Sequence, residues 1–483
     1  MTEPGTGSDR ADDRHDRITI ENRSNLERTS AHELALACLT AGLEAAHPER
    51  VVAERLAVDD GVLSVRDVRG GTTRYELASY DDVVVVGGGN AAGHLASALE
   101  NCLGDRLTGG AVVTDDPAPT DLLEVLPGDH PVPSERGRES TRRVLEIARD
   151  AGADDLVLAC IAGGGSALMV APAGSLSVDD LRAVTDALLR SGASIGEINA
   201  VRKHCSAIKG GGLAEAAGPA TVVGFVLSDV VGDDLGVVSS GPISPDPTTY
   251  GDALAVLERY GIDGPEAVLE HLRRGDRGEF AETRVEGESE GERAETFDDV
   301  TPHLLASATT AIDAAAEVAT DRGYDPLVLS SGIRGESSEV ATVHVAIAEE
   351  CLATGNPVAP PAVLLSGGET TVTVTGDGGT GGPNQEFALS AALELADEEV
   401  VVASVDSDGI DGSTDAAGAI VDASSLEVGD VAFDEARTAL AENDAQPPLE
   451  AMGALVRTGP TGTNVNDLRV VVVADAAGGD SSS

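Results

Sequence analysis

Two runs of three glycines each follow an apolar segment that is typical of a buried strand. The first run, at residues 87–89, follows the segment 82–86, and a helical pattern begins near Asn90. The second run, at residues 163–165, follows the segment 155–161. Free backbone N–H groups at the start of a helix suit a phosphate or a carboxylate. Two such loops on one parallel sheet would lie at the same carboxyl edge, where open α/β folds bind ligands. Close packing of helix against strand is the alternative explanation.

A basic cluster stands out in a chain that otherwise avoids cations. Arg202, Lys203, His204 and Lys209 lie within eight residues of one another. Such a cluster could neutralise a triphosphate or the carboxylate of a substrate. The alternative is a helix face whose cations pair with nearby acids. We predict a binding role, because this is the densest basic cluster in the folded body of the chain.

Carboxylates follow a third apolar run, at residues 221–227. Asp229 abuts the end of this predicted strand, and Asp233 and Asp234 come shortly after it. Carboxylates at a strand end can hold Mg²⁺ or accept a proton from a substrate hydroxyl. In so acidic a chain a single Asp is more often simply solvated. We therefore predict catalytic or metal-binding roles for Asp229 and Asp233 only.

Four polar, glycine-containing loops occur beside apolar segments in the second half of the chain, at residues 366–369, 376–386, 406–419 and 458–468. The loop that begins at Asp406 faintly resembles a calcium loop. However, the Glu required at its twelfth position is replaced by Ala417. Calcium binding is therefore not predicted.

The elements that must position these residues alternate between strand and helix, which predicts a mostly parallel sheet covered on both faces. The fold class is α/β, with a Rossmann-like parallel α/β/α sandwich followed by a smaller mixed α/β domain. A helix is predicted over 302–321, and a short strand over 370–374 suggests that the second sheet is partly antiparallel. The predicted division is an acidic arm at 1–28, a first domain at 29–274, an acidic linker at 275–299, a second domain at 300–475 and a tail at 476–483.

The chain carries 84 acidic against 32 basic residues, a formal net charge of −52. Such a chain repels itself at low salt, whereas molar salt shortens the Debye length to about 3 Å and screens the repulsion. We interpret the acidity as adaptation to a salty cytoplasm. It argues against nucleic acids and anionic membranes as partners, because phosphate contacts need a basic face.

Five scattered cysteines without a CxxC pair indicate reduced thiols in the cytosol. The N-terminal segment is polar, unlike a signal peptide, and no apolar run approaches the ~18 residues of a membrane span. We therefore expect a cytoplasmic protein.

Nine segments, in order, resemble the glycerate 2-kinase family whose C-terminal half is the MOFRL domain. They are VVGGGNAAG, HPVPS, CIAGGGSALM, SGASIGEINAVRKHCSAIKGGGLA, SDVVGDDLGVVSSGP, LLSGGETTVTVTG, GGPNQEFAL, DSDGIDGSTDAAGAIVD and GPTGTNVNDL. The resemblance implies two α/β domains with the active site in the cleft between them. It implies phosphorylation of D-glycerate at its 2-hydroxyl by ATP and Mg²⁺, giving 2-phosphoglycerate. Glycerate and ATP are the expected small-molecule partners, and the resemblance allows either a monomer or a homo-oligomer.

This reading assigns three groups of site residues. The expected catalytic residues are Asp229, Asp233, Lys209 and Asn90, of which Asp229 and Asp233 are also the metal candidates. The expected substrate- or phosphate-binding residues are Gly87, Gly88, Gly89, Gly163, Gly164, Gly165, Ser166, Arg202 and His204. The expected nucleotide-binding residues are Gly367, Gly368, Glu369, Asn384, Gln385, Glu386, Asp408, Asp411 and Asn464.

Two positions depart from the family pattern. Asn90 stands where the family usually has Lys, and Pro383 stands where a GGRNQE motif has Arg. We expect Lys209, Arg202 and Arg334 to compensate for the lost cations, because phosphoryl transfer depends on charge neutralisation.

Two rival functions stay open at this point. A nicotinamide-dependent hydroxypyruvate reductase would use Gly87, Gly89 and Ala92 as a dinucleotide fingerprint, with Asp115 on the ribose. A binding protein without turnover is the other, because two cations of the family are missing.

Overall fold

One of the two six-stranded sheets is entirely parallel. In the computed structural model, residues 18–283, 297–374, 376 and 378–475 are described, so the tail and much of the acidic linker predicted above lie outside them. The strands are β1 (Leu56–Asp59), β2 (Val62–Arg66), β3 (Thr72–Glu76), β4 (Val83–Gly88), β5 (Gly109–Thr114), β6 (Glu124–Pro127), β7 (Leu156–Ile161), β8 (Thr221–Leu227), β9 (Val300–Ala306), β10 (Asp325–Ile333), β11 (Ala362–Gly368), β12 (Val400–Asp406), β13 (Gly418–Asp422), β14 (Leu455–Val456) and β15 (Asp467–Val473).

The α-helices cover the sheets and connect their strands. They are α1 (Arg23–Leu26), α2 (Ser30–Ala46), α3 (Pro48–Arg55), α4 (Ala92–Leu103), α5 (Glu135–Asp150), α6 (Gly165–Leu168), α7 (Val178–Ser191), α8 (Ile195–His204), α9 (Gly212–Ala217), α10 (Tyr250–Arg259), α11 (Glu266–Asp276), α12 (Ala308–Asp321), α13 (Ser337–Thr354), α14 (Pro383–Glu394), α15 (Ser425–Val428), α16 (Phe433–Ala441) and α17 (Gln446–Ala451).

The parallel sheet has the strand order β6-β5-β4-β7-β8-β9, which is the doubly wound Rossmann order. The strand order reverses between β4 and β7, and Gly88 at the end of β4 lies in register with Ile161 at the end of β7. The two glycine runs therefore emerge side by side where such sheets bind ligands. A separate three-stranded antiparallel sheet, β1-β2-β3, accompanies this domain.

The second sheet is mixed, with the order β10-β11-β15-β12-β13-β14. Strand β15 runs antiparallel to both β11 and β12, so the predicted antiparallel component is confirmed. The strand predicted over 370–374 is wrong, because only Thr371 forms an isolated bridge, to Glu336. The Thr370 and Thr373 amides donate instead to the side chains of Asp467 and Glu336.

The structure divides the chain differently from the sequence in two places. Strand β9 completes the first sheet, so the predicted helix over 302–321 is split into β9 and α12. Residues 18–46 pack on the second domain, where α2 contacts α12, β12 and β15. Ile20 and Leu26 are buried there, because even this polar stretch carries a few apolar side chains. One continuous apolar cluster reaches from α2 to strands of both sheets.

No helix within the described ranges is both long and apolar enough to span a bilayer. All five cysteines belong to those ranges and are free thiols.

Candidate active site

The first glycine run is packed inside the parallel sheet. Gly87, Gly88 and Gly89 are all buried, and the first two belong to β4 itself. A methyl group added at Gly87 would lie 2.0 Å from the carbonyl oxygen of Cys160. These glycines therefore allow close approach of neighbouring backbones, and they are absent from the lining of the two cavities described below.

The second glycine run forms a tight turn enclosed by three side chains. Added methyl groups at Gly163, Gly164 and Gly165 would lie 2.1, 1.8 and 2.2 Å from side-chain oxygens, which belong to Asp229, Asn90 and Ser239 respectively. Gly164 has a left-handed backbone conformation, with φ +71°. This turn requires glycine for both space and backbone conformation.

A serine turn lies against the glycine turn. Ser239 and Ser240 have positive φ values of 52° and 63°, which is uncommon for residues with a side chain and often marks functional sites. The Ser239 hydroxyl donates to the Ala162 carbonyl at 2.6 Å, and the hydroxyls of Ser240 and Ser166 are 2.7 Å apart. Neither serine was predicted from the sequence to be a site residue.

A cavity of about 400 Å³, which we call the lysine chamber, opens beside the two turns. Its lining includes Gly164, Ser166, Arg202, Lys209 and Glu369. The Lys209 ammonium is buried and donates to the Met169 carbonyl at 3.0 Å.

The two cations of the lysine chamber stand without acidic partners. Burial, together with the smaller effect of the positive charge of Arg202, lowers the pKa of Lys209 to about 7. Burial also lowers the pKa of Arg202. Among the described residues, no carboxylate forms an ion pair with Arg202 or Lys209. Unpaired cations facing a cavity are suited to binding an anion.

The adjoining cavity, of about 520 Å³, contains the best-placed carboxylate and is called here the aspartate chamber. Asp229, Asn199, Ser239 and Arg334 line it. Burial raises the pKa of Asp229 to about 6, although hydrogen bonds from backbone N–H groups, including that of Gly164, oppose the shift. At neutral pH this carboxylate is mostly ionised and able to accept a proton.

Glu369 connects the two domains at this site. Together with Gly164 and Ser166 it lines both chambers, so the chambers adjoin along these three residues. Its side chain is exposed to the cleft. Desolvation by the surrounding protein and, to a smaller extent, the negative charges of Asp229 and Asp467 nevertheless raise its pKa to about 6. Carboxylates from both domains thus meet where the chambers join.

The basic cluster, which extends from α8 to Lys209 beyond its end, is divided between two environments. Arg202 and Lys209 face the lysine chamber, whereas Lys203 is buried in an ion pair with Asp246, at 3.3 Å. His204 bonds to the Ala200 carbonyl at 2.6 Å and is not in the lining of either chamber.

Asp233 is not brought to either chamber. It adopts a left-handed conformation, and its carbonyl accepts a hydrogen bond from Arg69 at 3.0 Å.

A buried polar network joins three of the second-domain candidates, Asn384, Gln385 and Asp411, to Asp467. Asn384 donates to Asp467 at 2.7 Å and to Asp411 at 3.2 Å, and the Gln385 amide donates to Asp411 at 2.8 Å. Burial raises the pKa of Asp411 to about 7. Polar partners within this domain also engage Glu386, Asp408 and Asn464.

Of these second-domain candidates, Glu369 alone lines a chamber. Gly367 and Gly368 end β11 and place Glu369 there. Pro383 occupies the first position of α14, where its missing N–H is not needed, and its carbonyl accepts a hydrogen bond from Ser337 at 2.8 Å.

A doubly wound α/β domain, facing a mixed α/β domain across a cleft with unpaired cations and a proton acceptor, defines an enzyme that acts on small anions. Residues 34–273 match a domain of unknown function, DUF4147, and residues 362–467 match the MOFRL family. The chain belongs to the glycerate kinase family that carries a MOFRL domain.

Relatives of this chain include glycerate kinases and a protein that is named after a different activity. A D-glycerate 2-kinase of Thermotoga maritima is 38% identical and the alignment covers 92% of this chain and 99% of the relative. A glycerate 2-kinase of Pyrococcus horikoshii is 37% identical, with 92% and 98% covered. A protein of Agrobacterium vitis, provisionally named a hydroxypyruvate reductase, is 44% identical, with 81% and 87% covered.

A solved structure has the same fold. The crystal structure of glycerate kinase from Thermotoga maritima matches with a TM-score of 0.77 and 37% identity, over 92% of this chain and 99% of that chain.

Proposed function

We propose that this protein is a glycerate 2-kinase, which transfers the γ-phosphoryl group of ATP to the 2-hydroxyl of D-glycerate. The observation that carries the proposal is the junction of the two chambers. Unpaired cations lie on one side of Ser166 and Glu369, and the half-buried carboxylate of Asp229 lies on the other. Phosphoryl transfer needs both, because charge must be neutralised and the attacking hydroxyl must lose a proton.

In this reaction Asp229 accepts the proton of the 2-hydroxyl as its oxygen bonds to the γ-phosphorus. The bond between that phosphorus and the bridging oxygen of ADP breaks, and ADP leaves with the electron pair. Arg202 and Lys209 neutralise anionic oxygens of the reactants, and the second domain excludes water that would otherwise hydrolyse ATP.

The cleft suits Mg²⁺ bound together with phosphate. Within the described ranges no cluster of three or more His, Cys, Asp or Glu side chains could form a protein cage for a metal. Mg²⁺ commonly binds through one or two carboxylates and substrate phosphates, and the Glu369 carboxylate, which has no cationic partner among the described residues, is the ligand we propose. Bound there, the ion would neutralise phosphate charge.

The reductase alternative is less well supported by the geometry. Gly87 is buried within β4 and Gly89 is buried directly after it, where its backbone N–H donates to the Val113 carbonyl at 3.0 Å. The backbone N–H of Asn90, two residues before α4, donates to the Gly163 carbonyl at 2.8 Å. A dinucleotide phosphate would need those N–H groups and that space. We expect no oxidation of NADH or NADPH in the presence of hydroxypyruvate.

We further propose that the protein works in a cytoplasm of high ionic strength, with ATP and glycerate as its small-molecule partners. Its net charge of −52 supports a salty cytoplasm, because high ionic strength screens the repulsion within so acidic a chain.

The test is turnover in molar KCl with D-glycerate, ATP and Mg²⁺, with products separated against 2- and 3-phosphoglycerate standards. We expect 2-phosphoglycerate and an equal amount of ADP. Absence of phosphorylated product from folded protein with intact ATP would contradict the proposal and favour a binding protein without turnover.

A further inference from the structure

The two chambers differ in charge although they adjoin. The lysine chamber contains two cations, Arg202 and Lys209, and its only carboxylate is the shared Glu369. The aspartate chamber contains one cation, Arg334, with Asp229 and the shared Glu369. The two reactants of the proposed reaction also differ in charge, since ATP carries a polyanionic chain and glycerate a single carboxylate.

We infer that the lysine chamber holds the nucleotide and the aspartate chamber holds glycerate, with the reacting atoms meeting at Ser166 and Glu369. This inference rests on the proposed function. It differs from the sequence-based expectation, which placed the nucleotide on second-domain loops. Asn384, Gln385 and Asp411 of those loops are fully buried and occupied by one another.

The position of the proton acceptor supports this assignment. A general base must lie within hydrogen-bond reach of the proton that it removes. Asp229 lines the aspartate chamber and not the lysine chamber. The glycerate hydroxyl therefore belongs beside Asp229, and Arg334 in the same chamber is the cation available to its carboxylate.

The remaining walls of the lysine chamber suit a purine base. Pro131, Pro133, Leu181, Val184 and Leu189 form an apolar surface in this cavity. Every carbon of glycerate carries oxygen, so glycerate has no apolar part to place there, whereas adenine has two flat faces. The aspartate chamber also includes valines, so an apolar wall alone does not distinguish the two chambers. The assignment rests on the difference in charge and on the position of Asp229 as proton acceptor, and the apolar wall of the lysine chamber agrees with it.

Leu189 allows a test with little risk to folding, because 60% of its side chain is exposed in the free protein. The matched control is Val343 on α13, which is 57% exposed and lies outside both chamber linings. ADP and glycerate would each be titrated calorimetrically into the full chain in molar KCl. We expect Leu189→Ser to weaken ADP binding about tenfold without changing glycerate binding. Val343→Ser should change neither.

The reciprocal variant is Arg334→Met, which should weaken glycerate binding and leave ADP binding unchanged. Weaker glycerate binding with normal ADP binding in Leu189→Ser would overturn the assignment, and so would unchanged binding of both. Calorimetry separates this inference from the proposed function, because ADP affinity can be measured even if the wild-type protein never phosphorylates glycerate.

Discussion

The side-chain nitrogen of Asn90 lies 2.9 and 3.0 Å from the two carboxylate oxygens of Asp115, so one amide donates to both. The pair joins the loop after β4 to the loop after β5. The opposite end of the amide, Oδ1, is buried beside Gly164 and accepts no hydrogen bond from the described residues. Asn90 therefore supports the glycine turn between both chambers.

We expect Asn90→Ala to lower kcat/KM for glycerate phosphorylation by about tenfold or more, because small displacements of a catalytic turn are costly. Steady-state kinetics in molar KCl would measure it. Asp115→Asn is the control, since its amide oxygen can still accept a hydrogen bond from Asn90. If Asn90→Ala kept full activity, the turn would not depend on this side chain.

Removal of the buried cation should affect activity strongly. Lys209→Ala is expected to reduce kcat/KM by about 100-fold, because charge-assisted contacts to a reacting anion are lost. Arg190→Ala serves as the control, as Arg190 is exposed on α7 and paired with Asp186. Equal kinetics for the two variants would show that Lys209 does not contribute to activity. It would then also not compensate for the cations that are missing at Asn90 and Pro383.

The pH dependence of kcat/KM should follow the charge of Lys209. Its pKa in the free protein is lowered to about 7, so the cation is present below pH 7 and is lost as the pH rises through that value. We expect kcat/KM for ATP to fall above about pH 7, since this ratio reports ionisations of the free enzyme. Arg202 and Glu369 share the cavity with Lys209.

Lys209→Arg is the informative comparison, because a guanidinium stays protonated throughout this range. Its profile should lose the decline above pH 7, whatever its absolute activity. An unchanged decline in this variant would assign the ionisation to another group.

The packing role assigned to the first glycine run predicts a loss of stability. Gly87→Ala should lower the free energy of unfolding by about 1–3 kcal/mol or more, because the added methyl overlaps backbone atoms of Cys160. Gly109→Ala, where no atom lies within 4 Å of the added methyl, is the control. Thermal denaturation in molar KCl would compare them. Similar midpoints would mean that the sheet adjusts without cost.

The acidic surface predicts stabilisation by salt. Raising KCl from about 0.1 M to about 1 M shortens the Debye length from about 10 Å to about 3 Å, so repulsion within a chain of net charge −52 declines. We expect the thermal midpoint to rise over this range. Sucrose, which is excluded from protein surfaces without screening charge, is the control. A larger effect of sucrose than of KCl would argue against charge screening.

Much of the fold could be predicted because buried parallel strands read as apolar runs punctuated by glycine. Strand β8 has the bounds that its residue pattern predicts. Asp229 could be identified because it follows the end of a predicted strand. Arg202 and Lys209 could be identified because cations are scarce in this chain. The Thr370 amide donates to the distant side chain of Asp467 instead of to a neighbouring strand, and no local pattern reveals that partner.

The site was harder to predict than the fold. Arg202 and His204 are two residues apart on α8, and such positions do not share a helix face. Asn384 and Gln385 are polar and follow a glycine loop, as ligand-binding residues do, yet their partners are buried carboxylates far along the chain. Ser239 and Ser240 owe their importance to backbone angles that sequence does not disclose.

The packing of residues 18–46 on the second domain has an evolutionary consequence. The described part of the chain begins on the second domain, crosses to the first near Ala46, and returns after β9, and the Thr463 hydroxyl donates to the Ala46 carbonyl at the first crossing. A truncation at a single point therefore cannot release either half as a complete folding unit. The two halves must therefore be inherited, duplicated or exchanged together. Otherwise another segment would have to replace helix α2 and cover the face of the second domain on which it packs.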